Sequence, residues 1–255
     1  MVTRLILTDL DGTLLHSDKT ISQNTLDVLN ECKKRGIFVG FCTSRGRPNV
    51  SRYEEIFQPD ILICNGGASI FFQNEQIFSA SFTVEQTRAI LKKTYQVCGE
   101  NAEITLDLPD TLCWNRKDDK STSYDQKAVY DDFKNFTKAA LKICVHTDEK
   151  IKAEQIASAV NECSMIPFSD IPWYKFSPAV STKENAVKFL CGYLNINMDE
   201  VISFGDDHND IGMLKICGKG IAMQNAISEV KEIADEVTLS NDEDGVASFI
   251  ENFVL

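Results

Sequence analysis

Short apolar segments and longer amphipathic segments alternate in the N-terminal part of the chain. Leu5–Leu7, Ile37–Cys42 and Ile61–Cys64 are apolar runs of strand length, and the segments between them carry apolar residues at helical spacing. This alternation of strand and helix favours right-handed crossovers and a parallel sheet. We therefore expect the carboxyl ends of three successive strands at one edge of a sheet, which is where open α/β sheets bind ligands.

The pattern changes after residue 81. Before this point, residues 69–79 have the pattern of a hairpin. The segment after it mixes helical periodicity with the two-residue alternation typical of antiparallel strands. The pattern predicts helices at Thr83–Cys98 and Ile151–Cys163, strands at Ala102–Leu108, Thr111–Asn115, Leu141–Val145, Met165–Phe168 and Trp173–Phe176, and a polar loop at 116–126.

The alternation of strand and helix returns from Ser181 onward. Val201–Phe204 is a further apolar strand, and Val237–Leu239 is the last strand predicted. The predicted fold class is α/β. It comprises a Rossmann-like core domain with a parallel sheet, residues 1–81 and 181–255, and an inserted α+β domain, residues 82–180.

Composition narrows the classes of partner. A net charge of -12 and a pI near 4.8 argue against nucleic acid, because proteins that bind it usually carry a basic face. The nine cysteines are scattered and none forms a CxxC pair, which predicts reduced thiols in a cytoplasmic protein. Neither a signal-peptide pattern nor an apolar run of roughly 20 residues is present, so we expect no membrane association. We expect a monomer or a weak homodimer.

Four polar clusters follow or begin the predicted core elements. Asp9 and Asp11 come directly after the first strand, and two like charges so close repel unless a cation lies between them or one is protonated. Thr43 follows the second strand, Lys183 begins a helix, and Gly205-Asp-Asp-His-Asn-Asp210 follows another strand. The DxDG pattern also opens EF-hand loops, but a strand precedes it here and the closing Glu is missing, which disfavours calcium.

Taken singly, Thr43 would be a helix cap and Lys183 a solvated lysine. Together the clusters fit transfer of a phosphoryl group from a monoester to an aspartate. Carboxylates from Asp9 and Asp206 suit Mg²⁺, and Asp9 is then the nucleophile. Asp11 would protonate the leaving alcohol and later take a proton from water. Lys183, Thr43 and backbone N–H groups at Asp11–Gly12 would stabilise the transferring group, with Asp210 orienting Lys183 or a metal-bound water.

These motifs resemble those of a known superfamily. Asp9-Leu-Asp-Gly-Thr-Leu14, Thr43, Lys183 and the 205–210 cluster, in this order, are similar to the four motifs of haloacid dehalogenase-like hydrolases. The inserted domain and the phrases NGGASI, GIAMQNA and DGVASFI resemble the Cof-type branch, subfamily IIB. The match covers residues 1 to about 81 and 181–255 and is weak in the inserted domain.

The resemblance implies a cap that closes over the substrate, and a role for each matching position. It implies metal ligation by Asp9, the backbone carbonyl of Asp11 and Asp206, support of the metal site by Asp210, and phosphate binding by Gly12, Thr43, Ser44, Lys183 and Asn209. We also expect substrate contacts from four residues near these loops and in the inserted domain: Arg45, Asn65, Gly66 and Arg116. Ser44 and Gln224 stand where the family usually has Gly, which affects specificity more than activity.

The leading hypothesis is a Mg²⁺-dependent phosphatase of small phosphorylated metabolites, most simply sugar phosphates, acting through an aspartyl-phosphate. A phosphomutase-type phosphotransferase would use the same site, and a non-catalytic protein that binds a phosphorylated metabolite is the third alternative. The intact nucleophile at Asp9 argues against the last, because a sensor does not need one.

Overall fold

Two β-sheets organise the chain, and the structure is a computed structural model that describes residues 2–117 and 128–255. Its strands are β1 (Leu5–Thr8), β2 (Phe38–Cys42), β3 (Ile61–Cys64), β4 (Ser69–Phe72), β5 (Glu75–Ser79), β6 (Ile104–Leu108), β7 (Thr111–Trp114), β8 (Val129–Tyr130), β9 (Lys142–His146), β10 (Cys163–Pro167), β11 (Trp173–Pro178), β12 (Val201–Gly205), β13 (Lys219–Ala222) and β14 (Glu236–Val237). Its helices are α1 (Gln23–Lys34), α2 (Ser51–Phe57), α3 (Val84–Cys98), α4 (Lys150–Ala157), α5 (Lys183–Leu194), α6 (Ile211–Ile216), α7 (Ser228–Ile233) and α8 (Gly245–Phe253).

The larger sheet lies in the part of the chain that we call the core, residues 1–81 and 181–255. Within the described residues it has eight strands in the order β14-β13-β12-β1-β2-β3-β4-β5. The strands from β14 to β3 are parallel, and β4 and β5 continue the sheet as an antiparallel hairpin. The predicted fold class, a parallel-sheet α/β core with an inserted α+β unit, is therefore confirmed.

Strand β1 lies in the middle of this sheet and is buried on both faces. Ile6 packs into one apolar cluster with residues of α1 and α8, whereas Leu5 and Leu7 pack into a second cluster with residues of α5 and α6. Alternate side chains of a strand point to opposite faces, so this pairing places helices on both sides of the sheet. The buried strand carries Asp9 at its end with little freedom to move.

The smaller sheet lies in the segment 82–180, which we call the cap. It has six strands among the described residues, in the order β10-β11-β9-β6-β7-β8. Ile104, Leu106, Ile143, Val145 and Phe176 fill one face, in an apolar cluster that includes residues of α3 and α4. The opposite face carries polar side chains and lies against the carboxyl edge of the core sheet.

Two predicted elements of the cap differ from the observed ones. The helix predicted at Ile151–Cys163 ends at Ala157, and Cys163 begins β10 instead. Residues 158–160 turn through short-range hydrogen bonds, and Glu162 has a left-handed φ of 58°, so the chain reverses before it extends. Helix α3 begins as expected, because Thr83 and Gln86 form a capping box. Most of the polar loop predicted at 116–126 lies outside the described residues.

No helix within residues 2–117 and 128–255 combines the length and the apolar character needed to cross a bilayer.

Candidate active site

Three carboxylates meet where β1 and β12 end. These strands are neighbours in parallel register, and the N–H of Asp9 donates to the carbonyl of Phe204, 3.1 Å away. Asp9 and Asp206 therefore leave the sheet side by side. Asp210 joins them from the turn after β12, and the three side chains can each offer an oxygen within 4.8 Å of the others. The two buried members, Asp9 and Asp210, are 7% and 1% exposed.

Lys183 is the cation between two of these carboxylates. Its Nζ donates to Oδ1 of Asp9 at 2.5 Å and to Oδ1 of Asp210 at 2.6 Å, and the residue is 2% exposed. Burial disfavours the ammonium, but Asp210 and Asp9 outweigh burial and raise the pKa of Lys183 far above its usual value. The other oxygen of Asp210 accepts from the N–H groups of Asp206 and Asp207, so Asp210 fixes both Lys183 and the turn.

Asp206 has no cation beside it among the described residues. Thr13 donates to its Oδ1 at 2.7 Å. Gly12, with a left-handed φ of 75°, lies so close that a Cβ there would stand 2.3 Å from Oδ2 of Asp206. Burial raises the pKa of Asp206 to about 9, and the neighbouring carboxylate of Asp9 acts in the same direction. Burial also raises the pKa of Asp9 to about 7, against the attraction of Lys183.

A divalent cation fits this donor set. Within the described residues Lys183 is the one cation paired with these three carboxylates, and it contacts only Asp9 and Asp210. Asp9 and Asp206 have raised pKa values because burial and mutual repulsion disfavour their charge. Hard oxygen donors of this kind are the ligands that Mg²⁺ prefers. Asp9 and Asp206 would hold it, with Asp210 supporting the site.

The carboxylate of Asp11 points away from this cluster. Arg45 donates to it through Nε at 2.6 Å and Nη2 at 2.7 Å, and Nζ of Lys19 lies 2.8 Å from Oδ1. Burial opposes the charge, but these hydrogen bonds hold the pKa of Asp11 down at about 2. Asp11 is therefore ionised in this arrangement. Arg45, expected as a substrate contact, is instead engaged with Asp11.

The loops after β2 and β3 are joined by backbone hydrogen bonds. The N–H of Gly66 donates to the carbonyl of Thr43, and the N–H of Asn65 donates to the carbonyl of Arg45. Thr43 is 1% exposed, and its hydroxyl accepts from the N–H of Arg45. Asn65 is also 1% exposed, and its Oδ1 has no hydrogen-bond partner among the described residues. The predicted residues of both loops thus lie together at the sheet edge.

Two lysines of the cap cross to the core. Lys142 donates to the carbonyl of Ser44 at 2.7 Å, and Lys175 donates to Oδ1 of Asn209 at 2.5 Å. The sequence patterns did not predict a place in the site for either lysine, nor for Thr13 or Lys19. One pattern in the sequence does point to Lys175. It lies between the apolar Tyr174 and Phe176 in a predicted strand, so its side chain is on the opposite face of the sheet from theirs.

The structure does not bring Arg116 to this site. Its Nη2 donates to the carbonyl of Asn101, and its Nε lies 3.6 Å from Glu103. The turn between β6 and β7 is the end of the hairpin that approaches the core, and β7 runs away from it. Arg116 follows β7 and therefore lies at the far end of the cap sheet, on a cavity of about 270 Å³.

Replacing Lys183 with Met is expected to lower both activity and stability. The buried carboxylates of Asp9 and Asp210 would lose their shared cation, and breaking such a pair costs about 3 kcal/mol. The sequence predicts that Lys183 also holds the transferring phosphoryl group, and loss of one such charge contact lowers kcat by about 100-fold to 1000-fold. Urea unfolding and phosphate release measure the two effects. Lys188→Met on the same helix, exposed and paired with Glu184, is the matched control. Unchanged stability in Lys183→Met would contradict the structural part.

The sequence of this chain is similar to those of known hydrolases and phosphatases. Residues 6–250 match the family model of haloacid dehalogenase-like hydrolases. The chain is 28% identical to the Bacillus subtilis protein YitU, a 5-amino-6-(5-phospho-D-ribitylamino)uracil phosphatase, over 98% of this chain and 97% of that protein. It is 29% identical to a putative phosphatase of Haemophilus influenzae, over 98% of each.

Solved structures show the same fold. The subclass IIB sugar phosphatase BT4131 superposes with a TM-score of 0.87 at 22% identity, over 98% of this chain and 99% of that one. The phosphatase BT1666 from Bacteroides thetaiotaomicron superposes with a TM-score of 0.86 at 23% identity, over 99% and 95% of the two chains. This chain belongs to the haloacid dehalogenase-like hydrolase family.

Proposed function

We propose that this protein is a Mg²⁺-dependent phosphatase that hydrolyses phosphate monoesters of small metabolites through an aspartyl-phosphate. The observation that carries the proposal is the position of Asp9. Its carboxylate ends the central strand, accepts a hydrogen bond from Lys183 at 2.5 Å and lies beside Asp206. A nucleophile next to one fixed ammonium and a divalent-cation site is what transfer of a phosphoryl group requires.

In the first half-reaction, an oxygen of Asp9 forms a bond to phosphorus while the bond from phosphorus to the ester oxygen breaks. Lys183 and the loop of Thr43 hold the phosphoryl oxygens in place as charge shifts to the leaving oxygen. Mg²⁺, bound by Asp9 and Asp206, would neutralise part of the charge where two anions meet. The departing alcohol takes a proton from Asp11.

The second half-reaction returns the nucleophile. Asp11 takes a proton from a water molecule, whose oxygen attacks phosphorus, and Asp9 leaves as a free carboxylate. The ionised form of Asp11 that Arg45 and Lys19 stabilise is the form needed for this step. The first half-reaction needs the protonated form, and the proton that Asp11 takes from water in one turnover is the proton that it gives to the alcohol in the next. To keep that proton, Asp11 has to leave Arg45 and Lys19, whose contacts favour the ionised form.

The relatives suggest phosphorylated sugars and polyols as substrates. YitU acts on a phosphoribitylamino compound, and BT4131 is a sugar phosphatase. Two buried acceptors face Gly46 at the boundary of cap and core. A Cβ at Gly46 would lie 2.6 Å from Oδ1 of Asp107 and 3.3 Å from Oδ1 of Asn65. Acceptors of this kind suit the hydroxyl groups of a polyhydroxylated leaving group.

A phosphate-release assay tests the function. We expect purified protein with Mg²⁺ to release inorganic phosphate from p-nitrophenyl phosphate and, faster, from members of a sugar-phosphate panel. EDTA should remove the activity, and added Mg²⁺ should restore it, because the carboxylate cluster provides no charge neutralisation of its own. Release without any acceptor hydroxyl distinguishes a phosphatase from a mutase.

Activity that persists after exhaustive chelation would contradict the metal assignment. Binding of phosphate esters without release of phosphate across the whole panel would contradict the hydrolytic function.

A further inference from the structure

The inner face of the cap sheet carries a cluster of three buried charged residues. Asp107 on β6 lies opposite Lys142 on β9, and Lys175 on β11 lies opposite Cys144, the next inward-facing position of β9. Asp107, Lys142 and Lys175 are 3%, 7% and 1% exposed. Their neighbours in sequence, such as Ile143 and Phe176, pack on the helix-covered face, so the three charged side chains point to the core.

Lys142 is balanced within this cluster. Its Nζ lies 3.2 Å from Oδ2 of Asp107 and donates to the carbonyl of Ser44. Burial raises the pKa of Asp107, and Lys142 opposes that effect. The two residues therefore form a pair that already holds one positive and one negative charge.

Lys175 has no such partner. Among the described residues its Nζ donates to a neutral amide oxygen, Oδ1 of Asn209, and no carboxylate lies within ion-pair distance. Burial, and then the neighbouring Lys142 and Lys183, lower its pKa to about 7. A buried ammonium without a counter-charge costs several kcal/mol. The cluster thus holds two amines and one carboxylate, and an anion bound beside Lys175 would favour its ammonium form.

The ammonium of Lys175 lies at the seam between cap and core. A Cβ on Gly66 would stand 2.4 Å from it, so Nζ lies directly against the turn after β3. The same turn carries Asn65, whose Oδ1 accepts no hydrogen bond from the part of the chain that the structure describes. Asn209 turns its carbonyl oxygen to Lys175, which leaves its Nδ2 as the group that can donate to a phosphoryl oxygen. Lys175 is therefore a cap residue directly beside Asn209, which we expect to bind the phosphoryl group.

We propose that the leaving group of the substrate carries its own anionic group, a carboxylate or a second phosphoryl group, and that Lys175 binds it. The inference rests on the proposed phosphatase function and deepens it. The pair of Lys142 and Asp107 adds no net charge, and Asp107 and Asn65 accept hydrogen bonds from hydroxyls of the same leaving group. The substrate class is thus phosphorylated hydroxy acids or bisphosphates of polyols, rather than esters of neutral alcohols.

Matched pairs of substrates test the proposal. Glycerol 3-phosphate and 3-phosphoglycerate differ by a carboxylate, and fructose 6-phosphate and fructose 1,6-bisphosphate differ by a phosphoryl group. We expect kcat/KM to be at least 10-fold higher for the anionic member of one pair, and the pair that shows it identifies the anion. Lys175→Met should reduce this ratio by about 10-fold, corresponding to loss of one charge contact. Lys175→Arg should retain most of it.

The ratio separates recognition from other roles of Lys175. If Lys175 serves only Asn209 or the fold, both members of a pair lose activity equally, the ratio is unchanged and the proposal is overturned. A wild-type protein without preference in either pair overturns it as well. Lys215→Met, a lysine of α6 outside the cluster, is the control and should leave the ratio as it is.

Calorimetric binding to Asp9→Asn protein separates this proposal from the proposed function. Tighter binding of the anionic member, lost in the double variant with Lys175→Met, would support recognition even if the wild-type protein hydrolyses neither ester. Equal binding of both members would overturn recognition even if the phosphatase activity is present.

Discussion

Asp9→Asn is expected to abolish phosphate release, with a fall in kcat of about four orders of magnitude or more. An amide oxygen in place of the carboxylate is a poor nucleophile toward phosphorus. The substitution also removes one of the carboxylates that would hold the divalent cation, and with it the negative charge that faces Nζ of Lys183. Release of p-nitrophenol from p-nitrophenyl phosphate, followed with excess enzyme, gives the sensitivity needed to measure so large a loss.

The fold should survive this change, because the amide nearly matches the carboxylate in size. Burial raises the pKa of Asp9 to about 7, so a neutral side chain is also tolerated there. Circular dichroism and thermal unfolding check this point. Asp27→Asn, an exposed aspartate on α1, is the matched control and should keep full activity. Substantial turnover by Asp9→Asn would rule out Asp9 as the nucleophile.

Asp206→Asn is expected to remove the stabilisation of the protein by Mg²⁺. At a Mg²⁺ concentration about 100 times its Kd, the wild-type protein should gain about 2.7 kcal/mol of unfolding free energy, which raises Tm by a few degrees. Asp206 supplies one of the two carboxylates that would bind the ion, so the variant should gain little. Differential scanning calorimetry with EDTA or Mg²⁺ gives the shift directly, without any assay of activity.

The pH dependence of the metal-free protein provides a second readout for the same variant. Burial and Asp9 raise the pKa of Asp206 to about 9, well above the value of about 3.9 in an unfolded chain. The carboxyl group of Asp206 thus binds its proton more tightly in the folded state than in the unfolded state. The stabilisation that this proton gives is fully present below pH 4 and is lost as the pH rises toward 9. Without metal, Tm of the wild-type protein should fall between pH 5 and pH 9 more steeply than Tm of Asp206→Asn.

Asp170→Asn, an exposed aspartate of the cap, is the control and should behave like the wild type in both measurements. Equal Mg²⁺ shifts in Asp206→Asn and in the control would show that the ion binds elsewhere.

The core and its carboxylates were predictable because their signals are local. A buried strand followed at once by Asp9 or Asp206 is visible in a few residues, and the order of strand and helix fixes which edge those residues share. The helix predicted at Ile151–Cys163 was wrong at its end, because its apolar spacing continued past the turn at 158–162. Periodicity reports which residues are buried and does not report where the chain reverses.

The cap side of the site could not be predicted, because it depends on contacts between distant parts of the chain. Asp107 meets Lys142 only through the pairing of β6 with β9, and Lys175 reaches Asn209 only when the cap lies on the core. The contact of Asp11 with Arg45 depends likewise on two adjacent strand ends. The sequence placed Arg45 among the expected substrate contacts, a role that stays a prediction, and gave no reason to single out Lys142 or Lys175.

The contacts of Lys142 with Ser44 and of Lys175 with Asn209 have a consequence for protein engineering. In both hydrogen bonds a lysine of the cap donates to an oxygen in a loop of the core, so the two contacts join the cap to the core. A cap transplanted from a homologue would seat on this core only if it brings donors for the Ser44 carbonyl and the Asn209 amide oxygen. Chimaeras that lack either donor should therefore lose these contacts between cap and core.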